Sequence, residues 1–101
     1  MFILNITYNL EPPIEQEWLH YMTMEHIPDV LNTNKFMNHR VLRLVNEHPD
    51  ANGNTYAIQF MATKIADIQA YLAHEGAILE NKVLAKYGES IVSFSTVLEE
   101  I

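Results

Sequence analysis

Cysteine is absent from all 101 residues, which rules out disulfides and thiolate nucleophiles and leaves packing to hold the fold together. A reducing interior suits such a chain, so a cytoplasmic location is the expectation. Basic residues are few: six Lys and Arg against thirteen Asp and Glu give a net charge of -7, a field that repels phosphate backbones and anionic headgroups. Arg40 with Arg43, and Lys82 with Lys86, do not extend into a basic stripe, so no nucleic-acid partner is expected. Only three glycines occur, none in a phosphate loop or nucleophile elbow, and nucleotide or acyl-transfer chemistry finds no support. No stretch approaches the run of about 20 apolar residues that a membrane span requires, so no membrane partner is expected. The apolar start, MFILNITYNL, has no basic n-region and no small-residue cleavage site, and reads as a strand rather than a leader.

What is present is a globular composition, 49% hydrophobic and 19% charged, whose length predicts one domain over residues 1–101. Phe2 to Asn9 alternates apolar Phe2, Leu4, Ile6 and Tyr8 with Ile3, Asn5, Thr7 and Asn9, the period of a strand. Pro12 and Pro13 stop it and open a helix whose Ile14, Trp18, Leu19, Tyr21 and Met22 form one apolar stripe. Pro28 predicts a kink or restart, Asp29 to Asn32 one further short turn, and Asn34 a left-handed end. Lys35 to Asn46 predicts a long second strand whose mixed faces suit either an edge strand or one with a bulge that swaps faces midway, followed by a hairpin at Asn52-Gly53 and a third strand from Thr55 to Ala62. A second helix is expected from an N-cap at Thr63 to a C-terminal cap at Gly88, with Ile65, Ile68, Leu72, Leu79 and Val83 inward and Gly76 marking a bend or a close backbone approach. Ser90 to Leu98 is the last strand, with Val92, Phe94, Thr96 and Leu98 on one side and Ile91, Ser93, Ser95 and Val97 on the other.

The order β-α-β-β-α-β predicts an α+β, ferredoxin-like fold, a four-stranded antiparallel sheet with two helices on one face. With the greasier sides of strands one, three and four turned to the helices, the other face would carry Asn5, Thr7, Gln59, Ser93 and Ser95 beside Ile3, Met61, Ile91 and Val97. That face is too apolar to stay bare, and a second copy packing sheet to sheet is the economical cover, so a homodimer is expected.

Trp18, Leu19, Met22, His26, Ile27, Pro28, Asp29, Val30, Leu31 and Phe36 form a W-L-x-x-M-x-x-x-H-I-P-D-V-L pattern followed by Phe at the start of the next strand. This pattern resembles a small bacterial domain family of unknown function that sits with the dimeric α+β barrels. The resemblance implies a homodimeric α+β barrel in a superfamily that includes antibiotic-biosynthesis monooxygenases, haem-degrading monooxygenases, muconolactone isomerases and amino-acid-sensing domains. The haem-degrading branch implies an Asn on strand one with a Trp and a His on the second helix. Asn5 and His74 match the first and last, and no Trp falls on that helix.

His26 continues the stripe where Pro28 loosens the helix, and two readings compete for it. It is either a proton shuttle in a pocket walled by Trp18, Tyr21 and Met22, or a histidine that caps freed carbonyls or stacks in the core. Glu25, His26 and Asp29 lack metal-ligand spacing, so no metal and no cofactor is expected. Asn5, Thr7, Gln59, Ser93 and Ser95 are expected to line a polar inter-sheet face. The leading functional reading is a homodimeric module that binds a small apolar or aromatic molecule or mediates an interaction. A cofactor-independent monooxygenase or isomerase using His26 is the alternative, and haem binding the second alternative.

Overall fold

The computed structural model describes residues 1–101. Strands β1 (Phe2–Leu10), β2 (Asn38–Arg43), β3 (Asn54–Ala62) and β4 (Ile91–Glu99) form one antiparallel sheet in the order β2-β3-β1-β4. Helical segments α1 (Glu15–Tyr21), α2 (Ile27–Leu31), α3 (Ile65–Ala73) and α4 (Glu75–Tyr87) complete the ferredoxin-like layout. Each of the two expected helices is therefore built from two pieces. The core lies between them and the sheet, where Leu4, Ile6, Tyr8 and Leu10 of β1 meet Tyr56, Ile58, Phe60 and Ala62 of β3.

The first helix does not break at Pro28. A π turn over Met22–His26 joins α1 to α2, with the Ile27 N–H donating to the Met22 carbonyl five residues back. The wider turn brings His26 and Ile27 inward together and leaves room for the proline ring. Asn34 then takes the left-handed conformation, φ 62°.

The second strand is shorter than its pattern suggested, and it sits at the edge of the sheet, the first of the two arrangements that its mixed faces suit. The chain does not reverse at Asn52-Gly53. It turns at His48–Ala51, where the Ala51 N–H donates to the His48 carbonyl (2.9 Å), while Gly53 lies so close to β1 that a Cβ would stand 2.5 Å from the Leu10 carbonyl oxygen.

The second helix is interrupted at His74 (φ -125°, ψ -94°), two residues before Gly76. On α3 the inward positions are Ile68 and Tyr71, with Ile65 and Leu72 exposed beside them, and on α4 they are Gly76, Val83 and Tyr87, with Leu79 partly buried against the core. Gly76 packs directly on Tyr71, where a Cβ would meet the ring at 2.8 Å and the backbone oxygen at 2.9 Å. Lys64, rather than Thr63, is the N-cap of α3, and no side chain caps it.

The fourth strand faces opposite to expectation. Its register pairs Leu4 with Val97, Ile6 with Ser95, Tyr8 with Ser93 and Leu10 with Ile91, so the serines lie on the helix side. Val92, Phe94, Thr96 and Leu98 lie on the open face with Ile3, Asn5, Thr7, Gln59 and Met61. Alternation alone gives two faces but not their assignment. Here the polar side turns inward because a helix residue, described below, supplies the hydrogen bond.

Gly76→Ala should lower the unfolding free energy by about 2 kcal/mol, because backbone as well as ring must move to admit the methyl group. Thr63→Ala should change it by less than about 0.5 kcal/mol, since that hydroxyl caps nothing. Urea titration of both variants checks the contrast.

Candidate functional site

Trp18 is fully buried, its ring centroid 5.2 Å from those of both Tyr8 and Tyr56. Met22 and His26 are buried beside it in sequence, and half-buried Tyr21 packs edge-on against Tyr87 under the Lys86 ammonium. None of the surface cavities is lined by Trp18, Tyr21, Met22 or His26. These four side chains build the core here rather than the wall of an open pocket. Burial lowers the His26 pKa to about 4, with Lys82 adding to the effect and Asp29 opposing it. Its Nε2 is buried without a hydrogen-bond partner, the depressed pKa keeps the ring neutral near pH 7, and His26 lines none of the cavities. A base needs contact with the proton it takes, and this one has none.

On the open face Asn5 donates to Thr7 (3.2 Å) and Thr96 (3.3 Å), Gln59 donates to Asn5 (3.1 Å), and Arg40 donates to Gln59 (2.7 Å). The polar inter-sheet set thus keeps Asn5, Thr7 and Gln59, loses Ser93 and Ser95, and gains Thr96 and Arg40. Asn5 and His74 are separated by the sheet, His74 lying in the helix layer, so the pair expected for haem does not share a cleft. No three His, Asp or Glu residues are gathered to hold a metal ion.

The cleft with the most developed chemistry lies under the α3–α4 interruption, about 220 Å³ in volume, between Tyr71, Gly76 and Glu80 above and Ile6, Ser93 and Ser95 of the sheet below. Gly76 opens it by presenting no side chain. One helical turn on, Glu80 points the same way, and its carboxylate accepts from the Tyr8 hydroxyl at Oε2 (2.9 Å) and from Ser93 Oγ at Oε1 (3.1 Å). Burial holds the Glu80 carboxyl above the usual carboxylate range, against the pull of those two donors. Burial first, and the neighbouring Glu80 second, raise both tyrosines, Tyr8 and Tyr71. Phe94 borders the mouth, exposed at 61%.

Sequence reasoning missed Glu80. One signal was readable: on the buried positions Gly76, Val83 and Tyr87 of α4, Glu80 holds the intervening place and is the acidic member. Ser93 was visible only as a polar member of an alternating strand.

The sequence profile of a family described as "Domain of unknown function (DUF4286)" matches residues 1–101. Among curated proteins none matches the chain. Solved structures share its fold. An ethyl tert-butyl ether D (EthD) family protein from Bacillus halodurans superposes with a TM-score of 0.67 at 16% identity, covering 100% of both chains. SnoaB, a cofactor-independent oxygenase from Streptomyces nogalater, gives 0.67 at 13% identity over 98% of this chain and 92% of its own. A dimeric ferredoxin-like protein from an uncultured marine organism gives 0.68 at 10% identity over 99% and 97%.

His26 sets a pH signature. Its folded pKa of about 4 lies below the ordinary 6.5, so its contribution to stability is complete above pH 6.5 and is lost as pH falls through 4. The loss amounts to about 3 kcal/mol. His26→Leu should remove that component while leaving carboxylate titration in place. Urea unfolding of both proteins at several pH values reads it, and parallel profiles would contradict the assignment.

Proposed function

The chain belongs to the DUF4286 domain family, and from that premise we propose that it is a homodimeric small-molecule-binding protein whose site is the cleft over Glu80. The single observation that carries this reading is a half-buried carboxylate, fixed by hydrogen bonds from two strands, at the wall of an otherwise largely apolar cleft. Ligand sites characteristically combine such an apolar lining with a few fixed polar groups. The volume lies below the roughly 300 Å³ at which common ligand pockets begin, which favours one aromatic ring with a short arm.

The dimer is supported by the open sheet face. Three strands of nine residues and one of six, about 4.8 Å apart with about 3.4 Å per residue, make a face of roughly 540 Å² whose apolar side chains surround a polar centre, a size at which an exposed patch is often an interaction site. Val92, Phe94, Leu98, Leu42 and Leu44 all stand well exposed on it. Structural neighbours described as dimeric ferredoxin-like proteins add support for self-association through this fold.

A second reading, a cofactor-independent oxygenase or isomerase, draws on the described activity of SnoaB and on the raised carboxyl of Glu80. In that case Glu80, which adjoins a cleft, is a better placed base than His26, which does not. No helix is long and apolar enough to cross a membrane.

Light scattering should give twice the 11.7 kDa chain mass, and Ala57→Glu, at the centre of the open face, should return it to the monomer by setting like charges against each other. A saturating one-ring aromatic such as 2-phenylethanol should raise Tm by several degrees. Ser95→Phe, which fills the cleft from an exposed position, should abolish that shift. An unchanged shift would move the site elsewhere.

A further inference from the structure

Glu80 lacks a counter-ion. The chain's ion pairs join Lys35 to Glu75 and Lys86 to Glu17, His48 lies 3.8 Å from Asp50, and none of these contacts includes Glu80. Both groups that touch its oxygens, the Tyr8 and Ser93 hydroxyls, are neutral donors. Each carboxylate oxygen retains a free lone pair, since an ionised carboxylate offers about four acceptor sites and two are occupied. A carboxylate drawn away from water, aligned by two donors and left without a cation is destabilised in its charged form, and it regains that free energy when a cation is brought to it. The cleft supplies the way in, and its Tyr71 ring, Ile6 and Leu72 supply an apolar seat for whatever carries the cation. The net charge of -7 draws cations toward the protein as a whole.

We infer that the ligand of this cleft is an organic ammonium, a protonated amine on a small flat apolar body, with its N–H groups donating to Glu80 and its ring against Tyr71. This rests on the cleft being the binding site. It adds the charge and polarity of the ligand, which the cleft's shape alone does not give. The raised carboxyl of Glu80 agrees with it, because a site that lacks its cation holds its proton more tightly.

A matched series separates the two claims. Calorimetric titration of the full chain at pH 7 with 2-phenylethylamine, 2-phenylethanol and phenylacetate changes the charge at nearly constant shape. The amine should bind roughly tenfold or more tighter than the alcohol, with the acid weakest, as a charge-assisted hydrogen bond requires. Glu80→Gln, checked for folding by urea titration, should bring the amine down to the alcohol. If the alcohol equals the amine in the native protein, the ammonium inference falls while the cleft stands as a binding site. If none of the three binds, both fall. An amine preference that survives in Glu80→Gln comes from the overall negative field and overturns the assignment to Glu80.

Discussion

Trp18 wedged between Tyr8 and Tyr56 is the contact on which the arrangement depends. The two tyrosines face each other across the central strand pair, and the indole packs 5.2 Å from each ring. That contact seats the first helix over the middle of the sheet and sends the two hydroxyls in different directions. Tyr56 donates to Glu15 at the start of α1 (2.7 Å), and Tyr8 donates to Glu80 on α4 (2.9 Å). One aromatic cluster thus ties both helices to the two central strands, combining a large apolar burial with two hydrogen-bonded tyrosine hydroxyls, while the buried Trp18 Nε1–H has no partner.

The same geometry decides which way β4 faces. Glu80, brought over the sheet by Tyr8, needs further donors because burial works against its charge, and Ser93 lies directly opposite Tyr8 in register. Turning the serines inward turns Phe94, Val92 and Leu98 outward. The cleft and the apolar open face are therefore two results of one register, and the open face is more apolar than a reading with the serines outside would make it. Phe94 borders both, at the edge strand.

At His26, by contrast, chemistry gives way to packing. The π turn that accommodates Pro28 also rotates His26 inward, where it lies 2% exposed with an unpartnered nitrogen and a depressed pKa. π turns often mark functional sites, yet here no cavity adjoins the turn, and the physical outcome is a neutral core residue whose protonation opposes folding. The motif around Trp18 and His26 is legible as a folding signal.

The sequence alone determined the element order, the alternating faces of β1 and β3, the left-handed turn at Asn34 and the positive φ of Gly88, because these follow from local periodicity and steric limits. It also identified Asn5, Thr7 and Gln59 as neighbours on one sheet face, since two-residue alternation places them without knowledge of the partner. Tertiary structure decided the rest. Whether the serine or the phenylalanine side of β4 turns inward is invisible to a pattern that both faces satisfy, and it was fixed by a carboxylate 13 residues away in the chain. The second helix is interrupted at His74, and Gly76 marks instead a close approach to Tyr71, a contact between successive turns that the local pattern does not report. The candidate site joins residues 72 positions apart, Tyr8 and Glu80, and no local rule can report a hydrogen bond that exists only once the sheet has closed beneath the helix.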